Sequence, residues 1–215
     1  MGIKRIQTLD SLRYSLQSLL LTHGWEDISV QMITQKMGVS VGTFYNYFDC
    51  RYDALTDLKS ELTQVFKNDL DILLNTYAYS TEKITILIKY LIMQSNDDST
   101  WSNYLYSGNA YSERLNQGIK DILISIITEG EKQKIMQVDA VNCAIDFIEV
   151  GLFFHVKNAL VNGEESHSFI DLVLILLGVT KENREKVIDI ICPITPLSQL
   201  PMSFLTINQF EDVYE

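Results

Sequence analysis

Ile28 to Leu55, ISVQMITQKMGVSVGTFYNYFDCRYDAL, is the stretch of this chain whose residue types and spacing best suggest chemistry. Phe44 and Phe48 lie four positions apart and can anchor a helix to a core, which leaves Thr43, Tyr45, Asn46 and Tyr47 for its other faces. Hydroxyls and an amide on a free helix face suit hydrogen bonding to the base edges and phosphates of duplex DNA. Asn46 can pair bidentately with adenine. Val41 and Gly42, at the helix start, suit a close backbone approach and a methyl contact to thymine, and Gln31 in the preceding segment can add a polar contact. A second chemistry overlaps the first, because Gly38-Val39-Ser40-Val41-Gly42 satisfies G-x-S-x-G, the nucleophile elbow of serine hydrolases. That elbow must follow a strand and sit atop a sheet. Here a helix precedes it and Ser40 has a helix to cap, so hydrolysis is set aside.

The elements that must position these residues follow from the same stretch. Ser29 is an N-cap residue, and Val30, Ile33 and Met37 give the short helix behind it one apolar face. Gly38 ends that helix, since glycine tolerates the left-handed geometry of a helix terminus, and Val39 and Ser40 make the turn into a second helix over Val41–Phe48. A helix, a turn with glycine and a second short helix make a helix-turn-helix, in which the second helix enters the major groove. Upstream, Ile6, Leu9, Leu12, Leu16, Leu19 and Leu20 predict a first helix from Lys4 to Thr22, with Gly24 closing it and Trp25 packing beneath the three-helix head. Lys4 and Arg5 at its start are candidate phosphate contacts.

MITQKMGVSVGTFYNYF, with Arg51 and then Ala54-Leu55, resembles the signature of TetR-type transcriptional regulators. Departures from that signature are Met37 in place of alanine, Arg51 in place of lysine, and Asp49 and Cys50 in the following turn. The resemblance implies an all-α fold: an N-terminal three-helix helix-turn-helix head joined by a long helix to a larger helical ligand-binding and dimerisation body. It implies that Thr43 and Tyr45 touch phosphate or a base, that Tyr47 touches a phosphate, and that Arg51 touches the phosphate at the start of the long helix; Ser40 belongs to the same face. A cytoplasmic homodimer on double-stranded DNA is implied, most simply a repressor on a near-palindromic operator, together with an unidentified small-molecule effector, commonly apolar or aromatic. The rival from another class is a helical ligand-binding or protein-interaction module without specific DNA binding.

The rest of the chain fits such a body. Leu55, Leu58, Leu62, Val65, Phe66, Leu70 and Leu73 extend a helix from Tyr52 to Asn75, a rod of ~35 Å. Further helices are expected over 82–94, 100–106, 110–132, 139–160 and 168–177, and one more over 180–191. This gives domains at 1–51, 52–192 and a proline-containing apolar extension at 193–215. Tyr77, Tyr90, Trp101, Tyr104, Tyr111, Phe147, Phe154 and His155 are candidate ligand contacts, though an aromatic at helical spacing is more often plain core. Ile145, Ile148, Leu152, Val156, Phe169, Leu172, Val173 and Leu176 are candidates for a dimer stripe.

Net charge is −11, yet residues 1–55 carry five cations and five anions, so the whole imbalance lies in the body. An acidic body behind a neutral head disfavours non-specific DNA binding and leaves more of the affinity to specific contacts. Three widely spaced cysteines suit reduced thiols in a cytoplasm rather than a disulfide framework. No apolar run approaches the ~20 residues of a membrane span, so no membrane partner is expected. Cys143 and His155 share one predicted helix ~18 Å apart, and His23 and His167 are isolated in sequence, so no metal or other cofactor is expected.

Overall fold

The computed structural model describes residues 2–97, 113–162 and 166–196, and no strand occurs among them. The helices are α1 (Gly2–Thr22), α2 (Val30–Lys36), α3 (Val41–Tyr45), α4 (Arg51–Leu74), α5 (Ser80–Asp97), α6 (Glu113–Lys132), α7 (Val141–Asn162), α8 (His167–Leu176) and α9 (Lys181–Val187). A 3-10 turn spans Trp25–Asp27. The chain divides into two compact units, Met1–Val65 and Phe66–Leu197. The helix expected over 100–106 and the extension beyond 196 lie outside the described residues.

In the first unit α1 buries Leu12, Leu16 and Leu19, and packs on α2. The buried hydroxyl of Ser15 donates to the Ile33 carbonyl at 2.7 Å. α1 ends at Thr22, and Gly24 beyond it has an extended backbone (φ −65°) that leads into the 3-10 turn. Ala54, Leu55, Leu58 and Leu62 on α4 are buried. Arg13 on α1 ties to the same helix, meeting Asp57 through Nε at 2.7 Å and Nη2 at 3.0 Å, Glu61 at 3.0 Å, and also Asp10 on its own helix at 3.3 Å. The carboxylates raise its pKa in spite of burial, the largest single influence, which acts to lower it.

The second unit is built around α5. Ile84, Ile86, Leu87, Ile88, Tyr90 and Leu91 are all buried, a helix apolar nearly all round, and it touches α6, α7, α8 and α9. Gly178, after α8, takes φ +71°, and the Gln137 carbonyl approaches so closely that a Cβ there would lie 2.5 Å from it. Only glycine meets both demands.

Two expectations are corrected here. The helix predicted over 180–191 ends at Val187, and residues 188–196 run on as an irregular strap along α5. On α7 and α8 the predicted dimer stripe is out of phase. Ile145, Ile148, Leu152, Val156 and Val173 are buried within the protomer's own core and are not available to a partner, while Phe169 is half-buried and stacks on His155. Leu172, Ile175 and Leu176 on α8, and Phe147, Val150 and Phe154 on α7, are exposed apolar residues. Both helices carry more apolar residues than one face needs, so the sequence alone leaves undecided which stripe faces inward.

Candidate nucleic-acid interface

Each feature of the helix-turn-helix has a local cause. Ser29 accepts the Met32 N–H at 3.2 Å and caps α2. Gly38 takes φ +62° with no atom within 4 Å of a Cβ built on it, so it is required by backbone conformation and not by crowding. The Val39 N–H donates to the Thr34 carbonyl at 3.0 Å, which closes the turn. Ser40 Oγ then accepts the Thr43 N–H at 3.1 Å and lies 2.9 Å from the Thr43 hydroxyl. This cap fixes where α3 begins. It also answers the G-x-S-x-G pattern, since Ser40 follows a helix and its oxygen serves as a helix cap.

α3 is shorter than expected, ending at Tyr45 with Asn46 as its C-cap, and the chain continues in a turn to Phe48. Phe44 is fully buried and Phe48 nearly so, their rings 5.3 Å apart. That anchor turns Tyr45 outward, 54% exposed, with its ring edge-on to Phe44. Gln31, Ser40, Gly42 and Asn46 are exposed, while Val41, Thr43 and Tyr47 are half-buried. Tyr47 leans on Phe48 with ring centroids 6.5 Å apart. Thus α3 presents an uncharged surface of hydroxyls, an amide and bare backbone.

Arg51 departs from its expected role. Its Nη1 donates to the backbone carbonyls of Trp25 (3.1 Å), Glu26 (3.4 Å) and Ile28, and Nη2 meets the Glu26 carboxylate at 3.4 Å. The guanidinium lies over the Trp25 ring, 4.5 Å from its centroid. A cation so engaged ties the 3-10 turn to the start of α4, a structural role that competes with a phosphate contact. The irregular turn that engages Arg51 leaves no mark in the periodicity, so this tether is not legible in the sequence. Two further side chains of this unit are exposed: Lys36, a cation ending α2, and Tyr52, 64% exposed in the first turn of α4. The side chains of Lys4 and Arg5 lie outside the described ones.

The candidate ligand contacts are dispersed in the second unit. Phe147 and Phe154 are 69% and 56% exposed, which follows from the phase of α7. Trp101, Tyr104 and Tyr111 lie outside the described residues. Tyr77 is half-buried, and burial, with Cys192 and Glu82 nearby, pushes its phenol pKa up. Tyr90 is fully buried and its hydroxyl donates to Asp69 Oδ2 at 2.7 Å. His155 is half-buried, stacks on Phe169 at 4.9 Å, and its buried Nε2 has no hydrogen-bond partner. A groove of ~260 Å³ between α4, α5 and α6 is lined by Lys67, Asp71, Lys83 and Asp121 among others, none of them a residue singled out from sequence. Among the described residues, no three side chains gather to hold a metal and no helix is long and apolar enough to cross a membrane.

No protein-family model matches the sequence, and no curated protein matches it either. Solved structures do match. RolR in complex with resorcinol aligns over 90% of this chain and 99% of its own, at 20% identity and a TM-score of 0.71. The transcriptional regulator FadR from Bacillus subtilis, in complex with stearoyl-CoA, aligns over 78% and 96%, at 22% identity and a TM-score of 0.63. HlyIIR, a hemolysin II transcriptional regulator, aligns over 82% and 99%, at 18% identity and a TM-score of 0.52. Likeness at these identities establishes the fold alone, the all-helical fold that these three proteins share.

Proposed function

We propose that this chain of TetR-like fold is a ligand-responsive DNA-binding transcriptional regulator, a repressor that binds a near-palindromic operator as a homodimer. One observation carries the reading: Phe44 and Phe48 lock α3 to the core while Ser40 caps it, which turns Tyr45 and its neutral neighbours outward. A helix held this rigidly can present Thr43, Tyr45, Asn46 and Tyr47 to base edges and phosphates, with Gln31, Ser40, Val41 and Gly42 completing the surface. Lys36 supplies charge at its margin. Dimerisation is supported by the outward apolar surface of α7 and α8, which water would otherwise cover. Two copies related by a two-fold axis match a palindromic site with half-sites in successive major grooves.

The effector is assigned to the second unit and to a small apolar or aromatic class, in keeping with resorcinol in RolR and the acyl chain of stearoyl-CoA in FadR. α4 starts in the first unit and ends in the second, so an effector that favours one position of its last turns changes the state of its first. The test is selection of binding sites from random duplex DNA by the full-length protein. Recovery of a two-fold symmetric motif supports the regulator. Failure to recover any motif between ~50 and ~200 mM salt favours a helical ligand-binding or protein-interaction module instead.

A further inference from the structure

Residues 188–196 are a strap without helix or strand, and backbone of that kind must find partners elsewhere. α5 supplies them. Lys89 Nζ donates to the carbonyls of Ile188 and Ile190, both at 2.7 Å, and Gln94 Nε2 donates to the carbonyl of Thr195 at 2.7 Å. Between these points Cys192 is buried, its thiol 3.8 Å from the Ile86 carbonyl. The far end of the strap reaches past α5 to α4, where the Thr195 hydroxyl donates to Asp69 Oδ1 at 3.1 Å. The other oxygen of that carboxylate accepts the fully buried Tyr90 hydroxyl at 2.7 Å. At Asp69, therefore, α4, α5 and the strap meet through a single charged group, and both of its oxygens accept from hydroxyls of the other two elements. Hydrogen bonds to an ionised acceptor are the stronger and more directional kind, so this node resists sliding of α4 against α5 in a way that Leu70 and Leu74 do not.

We propose that the strap is a latch on α4, with Thr195 as its catch and Asp69 as a positioning residue: while the strap is docked the last turns of α4 are held in place, and when it lifts they loosen. The DNA consequence rests on the function proposed above, because α4 runs unbroken from Leu74 back to Arg51 beside the reading helix. The latch itself does not rest on it. Gln94 Oε1 is buried without a hydrogen-bond partner, so the strap is fastened at that point by one side of the carboxamide alone. An incompletely satisfied attachment suits a segment that must be released.

Hydrogen exchange on the full-length protein tests this. Thr195→Val removes the catch at constant volume, Thr195→Ser restores it, and Lys89→Met frees the opposite end of the strap without removing a group that bonds α4. The latch predicts that amides of residues 70–75 exchange about tenfold faster in Thr195→Val and in Lys89→Met, and at the wild-type rate in Thr195→Ser, with α6 unchanged in all three. A response to Lys89→Met is the discriminating result, since a purely local bond at Asp69 has no reason to notice it. Unchanged exchange at 70–75 in both folded variants overturns the latch; if one variant does not fold, the other decides. On a duplex recovered by wild-type selection, both variants should shift affinity at least threefold, and an unshifted affinity overturns its regulatory role. If the wild type recovers no duplex, the assignment of the head fails and the exchange comparison still decides the latch.

Discussion

Replacing Arg51 by methionine separates two roles that make opposite predictions. Counting from the structure, the contacts that matter are those to the Trp25 and Ile28 carbonyls and the face of the Trp25 ring. The side chain is 32% exposed and Glu26 is 87% exposed, so water screens the site and the Glu26 ion pair is left out of the sum. Taking about 1 kcal/mol for each of the two hydrogen bonds and about 0.5 kcal/mol for the cation over the indole, the loss is about 2.5 kcal/mol. With a urea dependence of about 1–3 kcal/mol per molar, the unfolding midpoint falls by roughly 1 M. Fluorescence of Trp25 reports it directly in a Trp101→Phe background, which leaves a single tryptophan. Arg51→Lys should recover less than half, because an ammonium cannot span three carbonyls and lie flat on a ring. The slope of log affinity against log salt, measured on a selected duplex, should not change. A slope shallower by about 0.9 per head with an unmoved urea midpoint would return Arg51 to the phosphate backbone and refute the tether.

Gly38→Ala should cost about 1–2 kcal/mol, all of it backbone strain because the space for a methyl is empty, and Gly38→Asn should cost less; equal urea midpoints for alanine and glycine would contradict the φ of +62°. Burial pushes the Cys192 thiol from 9.0 to about 11, with Lys89 opposing. Its folded pKa lies above its unfolded one, so the stability it contributes is whole below pH 9 and is lost as pH rises through 11. The deficit of Cys192→Ala relative to wild type should therefore shrink by about 2 kcal/mol across that window, and parallel stability curves would sink the argument. Lys89, whose pKa burial lowers, is present in both proteins and so drops out of the comparison to first order. Phe154→Asp should leave the urea midpoint alone, since the ring is already 56% exposed, and should halve the mass seen in sedimentation equilibrium if α7 forms the dimer surface.

Which parts of this fold were legible in the sequence depended on how local their cause is. The caps Ser29 and Ser40, the left-handed Gly38 and the four-residue spacing of Phe44 and Phe48 act within one or two turns, and each stands where the sequence placed it. The phase of α7 was illegible because Ile145, Phe147, Ile148, Val150, Leu152 and Phe154 clothe the helix nearly all round, and only the packing against α5, α6 and α8 decides which stripe is inside. The strap was illegible for a related reason. Residues 188–191 read as helix by composition, but the carbonyls of Ile188 and Ile190 are bonded by Lys89, a hundred positions earlier, and no local pattern encodes that.

The same distinction bears on how the head can bind DNA. Cations are easy to see in a sequence and tempting to assign to phosphate, yet whether a cation is free is settled by long-range contacts. Arg13 is enclosed by Asp10, Asp57 and Glu61, and Arg51 is spent on backbone carbonyls, so two of the head's cations hold the fold together. α3 itself bears no charge. On the function proposed above, a neutral α3 and a chain of net charge −11 would make counterion release contribute less than in a basic head, leaving more to direct hydrogen bonds and close backbone approach at Gly42 and Thr43. Such bonds are worth having only if the donor is held where the base edge will be. The ring of Tyr45 is held outward because Phe44 beside it is not exposed at all.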